Sequence, residues 1–265
     1  MLQPFYLVDA FTAEPFTGNP AAVYVLDRWP ADAWLECVAR EMNQSETAFL
    51  VQSGGGFHLR WFTPKVEVDL CGHATLASAH VLWSTGAADR NQPIIFSTRS
   101  GALTATVAGD LIELDLPLLP EQPTQGPPGM AEALCVAPIY AGKSRHDLVV
   151  QVASEEDVRS TRPNFTRLSE IVTRGVIITA ASSDVAFDFV SRFFAPAAGI
   201  NEDPVTGSGH CALGDFWRKR LNKTSFRAYQ ASARGGVVHV RVAGDRAILG
   251  GQAVTVVRGE LQASY

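Results

Sequence analysis

The chain carries one pattern twice. Arg60-Trp-Phe-Thr-Pro64 precedes Asp69-Leu-Cys-Gly-His-Ala-Thr-Leu76, and Arg192-Phe-Phe-Ala-Pro196 precedes Gly207-Ser-Gly-His-Cys-Ala-Leu213. In each copy an Arg-aromatic-Phe-x-Pro strand end leads through a loop to Gly-His and then to apolar residues at helical spacing. The two spacings differ by five residues, so the copies are a diverged duplication and not a strict repeat. A chain built this way folds as two halves of one plan, each with a loop that runs into a helix start. A helix start offers free N–H groups at the positive end of the helix dipole. It binds a carboxylate or a developing oxyanion without needing a cationic side chain. The expected product is a cleft with one helix start on either wall.

The order of elements agrees with two halves. Strands are expected at Phe5–Phe11 and Ala21–Leu26, a helix over Ala31–Met42, and strands at Thr47–Val51 and His58–Phe62. A helix over Gly72–Thr85 follows, with Leu76, Ala79, His80 and Trp83 along one stripe. A meander at Ile94–Thr98, Leu103–Val107 and Leu111–Leu116 would pack around it. Pro117–Pro128 holds five prolines and reads as the crossing between halves 1–117 and 118–265. The second half repeats the order: a short helix near Met130–Cys135, strands at Pro138–Ala141 and Leu148–Val152, and a capped turn at Ser154–Asp157. A helix over Asn164–Val172, strands at Val176–Thr179 and Phe187–Phe194, the glycine-histidine loop, a helix to Leu221 and a last meander complete it.

Composition narrows the class. Apolar residues make up 46% and charged residues 18%, which suits a globular chain with ample core. Net charge is −5 with no basic stripe, so nucleic acid is not an expected partner. No apolar run is long enough to span a bilayer. The stretch Met1–Asp9 lacks a basic segment and reads as a strand and not as a signal peptide, which makes a cytoplasmic protein the expectation. The four cysteines form no CxxC pair and no metal-ligand spacing. Cys37 and Cys135 are expected as small buried apolar residues.

The chemistry-bearing residues lie at the special loops. In Asn201–Leu213 an acid, Asp203, precedes Pro204 and Gly207, and Ser208 is a natural N-cap for the helix that follows. From position alone Glu46 reads first as a solvated loop carboxylate at a helix-to-strand junction. His73 lies in a first helical turn, where its charged form is disfavoured; it is either a neutral proton relay or a structural histidine. Phe16, Trp61 and Phe193 could line an apolar pocket or belong to the core.

Val8-Asp-Ala-Phe11 with Gly18-Asn-Pro20, Glu41-Met-Asn-Gln-Ser-Glu46, Phe62-Thr-Pro64 with Cys71-Gly-His-Ala74, and Glu202-Asp-Pro-Val-Thr-Gly-Ser208 together resemble the phenazine-biosynthesis (PhzF-like) isomerase family. Ala233-Arg-Gly-Gly236 and Leu249-Gly-Gly-Gln-Ala253 fit as well, so the resemblance runs in order along nearly the whole chain. It implies a diaminopimelate-epimerase-like α/β (α+β) fold, two pseudo-symmetric halves each with a mainly antiparallel sheet wrapped around a central helix. It also implies an enzyme without cofactor or metal, a homodimer, acting on a small carboxylate-bearing substrate.

Carried over by position, Glu46 would be the acid/base, His73 and Asp203 its partners in proton transfer, and Ser208 a site hydroxyl. Asn19, Gly72, Ala74, Gly207, Gly209 and His210 would form the substrate-binding set. The chemistry is coherent: burial raises a carboxyl pKa toward that of a useful base, and fixed N–H donors hold the enolate it makes. The wider superfamily includes racemases with a thiol on each helix start. Here Cys71 matches one thiol position, while Ser208 occupies the other and Cys211 is displaced by three residues. A racemase or epimerase using Glu46 and Cys71 is therefore an alternative, as is a non-catalytic binding protein with the same fold.

Overall fold

A computed structural model describes residues 2–263. The chain divides into two compact units, Met1–Asp115 with Gly250–Tyr265, and Leu116–Leu249.

In the first unit β1 (Gln3–Ala10), β2 (Asn19–Leu26), α1 (Asp32–Met42), β3 (Glu46–Ser53), β4 (Gly56–Phe62) and the two-residue β5 (Glu67–Val68) lead to α2 (Gly72–Ser84). The meander β6 (Ile94–Thr98), β7 (Gly101–Ala108) and β8 (Leu111–Pro117) follows. Strand β1 pairs antiparallel with β2, β2 parallel with β3, and β3 antiparallel with β4. Next, β4 pairs parallel with β6, and β6, β7 and β8 pair antiparallel in turn.

The second unit opens with β9 (Gln122–Pro123), α3 (Met130–Leu134), β10 (Tyr140–Lys143), β11 (Asp147–Gln151), α4 (Glu155–Ser160) and α5 (Phe165–Ser169). It continues through β12 (Gly175–Ala181), β13 (Phe189–Ala195), β14 (Ile200–Asp203), α6 (Gly207–Leu221), β15 (Ser225–Gln230), β16 (Gly236–Ala243) and β17 (Arg246–Gly251). Its pairing follows the same sequence: β10 antiparallel to β11, β11 parallel to β12, β12 antiparallel to β13, β13 parallel to β15, β15 antiparallel to β16. The strand that ends each run also has its counterpart, with β9 beside β10 and β18 (Ala253–Leu261) beside β1.

This last pairing corrects the expected division at 117/118. The first crossing falls within β8, before the proline-rich stretch, and the chain returns through β17, so that β18 completes the first sheet. Other differences are local. α5 stops at Ser169 and does not run to Val172; its N-cap Asn164 accepts from Arg167 N–H. The expected capping box is present, with Ser154 and Asp157 bonding each other's backbone N–H. Cys37 and Cys135 are exposed, not buried. The buried side of α1 is Leu35, Val38 and Ala39, which leaves Cys37 facing water, and Cys135 sits in the left-handed C-cap of α3.

The expected stripe on α2 is wider than the spacing suggested. All of α2 except His80 and Ser84 is buried, so the helix has no polar face and the strands wrap it. The return of the chain is fitted against it. A Cβ on Gly251 would stand 2.4 Å from the ring of Phe11 and 3.1 Å from Leu76 of α2. Phe11 is itself fully buried and held at φ 63, so it cannot yield cheaply. Gly251→Ala is expected to cost about 1–3 kcal/mol through overpacking, read as a lower urea midpoint with an unchanged far-ultraviolet spectrum.

Candidate active site

The first unit gathers Asn19, Glu46, Cys71 and His73. Asn43, in the left-handed conformation (φ 50), ends α1 and turns the chain so that Glu46 opens β3. Gly18 (φ +66) makes the matching turn into β2; a Cβ there would lie 2.3 Å from the Ala10 carbonyl oxygen. Asn19 then opens β2, which runs parallel to β3. Cys71 is the N-cap of α2, Gly72 its first residue and His73 its second.

His73 Nε2 lies 3.4 Å from Glu46 Oε2. Its Nδ1 lies 3.1 Å from the Asn19 amide Nδ2, and Asn19 Oδ1 accepts from the Ser45 hydroxyl at 3.2 Å. An amide nitrogen only donates, so Nδ1 accepts and the ring proton belongs to Nε2, facing Glu46. The 3.4 Å separation is longer than a charge-assisted bond of about 2.7–2.9 Å, as suits a neutral imidazole beside a carboxylate. Burial pushes the His73 pKa down to about 3. Cys71 Sγ approaches the same ring, 3.5 Å from Nδ1 and 4.0 Å from Nε2. Glu46 keeps 16% of its side chain exposed, so it is neither the solvated carboxylate of the positional reading nor fully enclosed.

The second unit gathers Asp203, Ser208 and residues that sequence inspection passed over. The helix begins at Gly207 with Thr206 as its N-cap, so Ser208 is the second helical residue and not the cap. The reason lies in Thr206: its hydroxyl donates to Asp203 Oδ2 at 2.6 Å, and its N–H donates to Gln230 Oε1 at 2.8 Å. Gln230, buried at the end of β15, also donates to the Asp203 carbonyl at 2.7 Å and so fixes the acidic loop. Ser208 is turned toward Arg174, whose Nη2 donates to Ser208 Oγ at 2.9 Å. Arg174 is held by both carboxylate oxygens of the fully buried Asp147 and lies over the Phe193 ring. A cation therefore stands at this helix start, where none was expected. No local motif marks Arg174 or Gln230; tertiary pairing alone brings them to the loop.

Of the expected substrate-binding set, Asn19, Gly72, Ala74, Gly207, Gly209 and His210 are all buried. His210 turns its Nδ1–H back to the Thr206 carbonyl at 2.8 Å, and burial pushes its pKa down to about 4. Cys211 is buried and its thiol is pushed up to about 12, so it holds its proton at neutral pH. Phe16 is 79% exposed, whereas Trp61 and Phe193 are core residues.

Residues 8–259 match the family described as phenazine biosynthesis-like protein. The chain belongs to that family. It is 52% identical to an uncharacterized isomerase of Halalkalibacterium halodurans over 98% of this chain and 99% of the relative. The crystal structure of a phenazine biosynthesis protein of the PhzF family from Enterococcus faecalis superimposes with a TM-score of 0.95 at 43% identity, covering 99% of this chain and all of that one, 100%. A probable proline racemase from Agrobacterium radiobacter, 12% identical, shares the fold with a TM-score of 0.67 over 99% of this chain and 93% of its own. The diaminopimelate-epimerase-like architecture expected from sequence is thus the fold of this family member.

The buried neutral histidines make stability depend on pH. His73 and His210 have folded pKa values near 3 and 4, below the ordinary 6.5. Between those values the unfolded chain binds protons that the folded chain refuses. Their stabilising contribution is complete above about pH 6.5 and fades as pH falls toward the folded values. Urea midpoints are expected to drop from pH 7 to pH 5, and a His73→Asn variant should show a shallower drop over the same interval.

Proposed function

We propose that the protein is an isomerase that moves a proton on a small carboxylate-bearing substrate with Glu46 as the acid/base. The observation that carries this reading is the Asn19–His73–Glu46 arrangement. Asn19 bonds the imidazole at Nδ1, His73 turns its Nε2 to Glu46, and Glu46 retains exposure through which to meet a substrate. Glu46 removes a proton from carbon conjugated to the substrate carboxylate and returns it at a second position, without a cofactor. His73 orients Glu46 and stays neutral throughout, consistent with its lowered pKa.

The second unit supplies groups suited to the anion. Because Arg174 donates to Ser208 Oγ, the hydroxyl proton points elsewhere and is available to a carboxylate oxygen. Gly207 and Gly72 start their helices without side chains, so backbone N–H groups can approach a ligand closely. Asp203, tied to Thr206, would relay or orient. In this reading the protein works as a cytoplasmic homodimer. Among the described residues no helix is long and apolar enough to cross a membrane.

A racemase using Glu46 and Cys71 fits less well. Two groups that flank one carbon each stand about 3 Å from it on opposite faces, hence about 6 Å apart. The donor atoms of Glu46 and Cys71 lie within 4.8 Å of each other. The proximity favours one acid/base that delivers the proton back to the same face.

The isomerase reading is tested in heavy water with a panel of small cyclic-diene carboxylates and amino acids, read by mass and proton spectra. Wild type should incorporate deuterium or rearrange a member of the panel. Glu46→Gln should fold normally and lose this activity by about 10²-fold or more. Equal rates in the two proteins would remove Glu46 from the role.

A further inference from the structure

Proton transfer by Glu46 with His73 leaves Cys71 without a task, yet its thiol lies against both. We propose that Glu46, Cys71 and His73 form a binding site for a soft divalent transition metal, with zinc as the reference ion, and that the bound metal blocks the acid/base. Their ligand atoms all lie within 4.8 Å of one another. Around a tetrahedral zinc, a nitrogen and an oxygen ligand stand about 3.4 Å apart, and a sulfur and a nitrogen about 3.6 Å. His73 Nε2 and Glu46 Oε2 are already 3.4 Å apart. Cys71 Sγ, 4.0 Å from Nε2, needs to close by a few tenths of an ångström toward the imidazole and by up to about 1.2 Å toward Glu46.

The donor set is also chemically selective. One thiolate, one imidazole and one carboxylate leave a fourth tetrahedral position open, and the sulfur favours zinc or cobalt over magnesium or calcium. The thiol sits at the N-cap of α2, one residue before Gly72 and two before His73. Binding releases the Cys71 proton to solvent and forms the metal–sulfur bond. The imidazole proton moves from Nε2 to Nδ1 as Nε2 takes the metal. Asn19 must then turn its amide so that Oδ1 accepts from Nδ1, which Ser45 permits because its hydroxyl can either donate or accept. Loss of the thiol proton makes the metal bind more tightly as pH rises. Metal binding rests on this geometry alone; only the loss of activity rests on the isomerase reading.

The test uses full-length protein carrying Cys37→Ser and Cys135→Ser, because those two thiols are exposed and would bind metal themselves. Titration with cobalt(II) should give a thiolate-to-cobalt charge-transfer band that saturates at a single equivalent and is displaced by zinc. Adding Cys71→Ser should abolish the band, and adding Glu46→Gln should weaken cobalt binding by more than about tenfold. Absence of the band, or its survival in Cys71→Ser, would overturn the site. Should Cys71→Ser fail to fold, alkylation of Cys71 in the parent protein decides: zinc should protect it, and unprotected labelling overturns the proposal. A cobalt band together with full turnover by Glu46→Gln would keep the metal site and overturn the isomerase reading instead.

Discussion

The structure depends on two helices that are buried along most of their length. α2 is buried along almost its whole length, and α6 is buried from Gly209 to Trp217. Such a helix is stable only if strands cover it on every side, which is why each unit arranges its strands around one helix. The cost falls at the helix start. The first N–H groups of a helix have no intrahelical acceptor, and in a buried helix water cannot easily serve them. Neither N-cap, Cys71 or Thr206, caps through its side chain. Packing that secures the core therefore leaves both helix starts without a side-chain cap.

What distinguishes the two helix starts is where each helix begins relative to the repeated Gly-His. α2 starts at the glycine, Gly72, and His73 is its second residue. α6 starts two residues earlier, at Gly207, and Gly209-His210 is carried into the first turn. This half-turn difference redirects the imidazoles. His73 meets Asn19 and Glu46, whereas His210 bonds the Thr206 carbonyl one turn back. The longer second loop permits the earlier start, because Asp203 and Gln230 fix Thr206 as the cap.

Much of this was legible in the sequence. The duplication follows from two Arg-aromatic-Phe-x-Pro and Gly-His runs, and the strand order repeats with it. The family motifs marked Glu46 and His73, which the structure places together. What escaped inspection depends on partners distant in sequence. Ser208 looks like a cap by composition, but a residue far down the chain, Gln230, decides that Thr206 is the cap. Arg174 looks like an ordinary loop cation until Asp147 and Ser208 are seen on either side of it. The return of β18 to the first sheet is equally invisible, since alternation reveals a strand and not its neighbour. Cys37 shows the limit of residue averages: cysteine is commonly buried, yet helical phase alone puts this one outside.

The diverged copies have come to differ in electrostatic character. The start of α2 brings together a carboxyl, a thiol and a neutral imidazole, all groups that exchange protons or ligate metals. The start of α6 has Ser208 backed by Arg174, and Asp147 buries its charge to hold that guanidinium. A buried carboxylate paired with arginine is a poor way to gain stability, because desolvation offsets most of the attraction. Its value is directional: with both Asp147 oxygens engaged, the guanidinium keeps one fixed orientation, and Nη2, which serves Asp147, also donates to Ser208. The two helix starts therefore carry different chemistry: a carboxyl, a thiol and an imidazole at one, a hydroxyl backed by a guanidinium at the other.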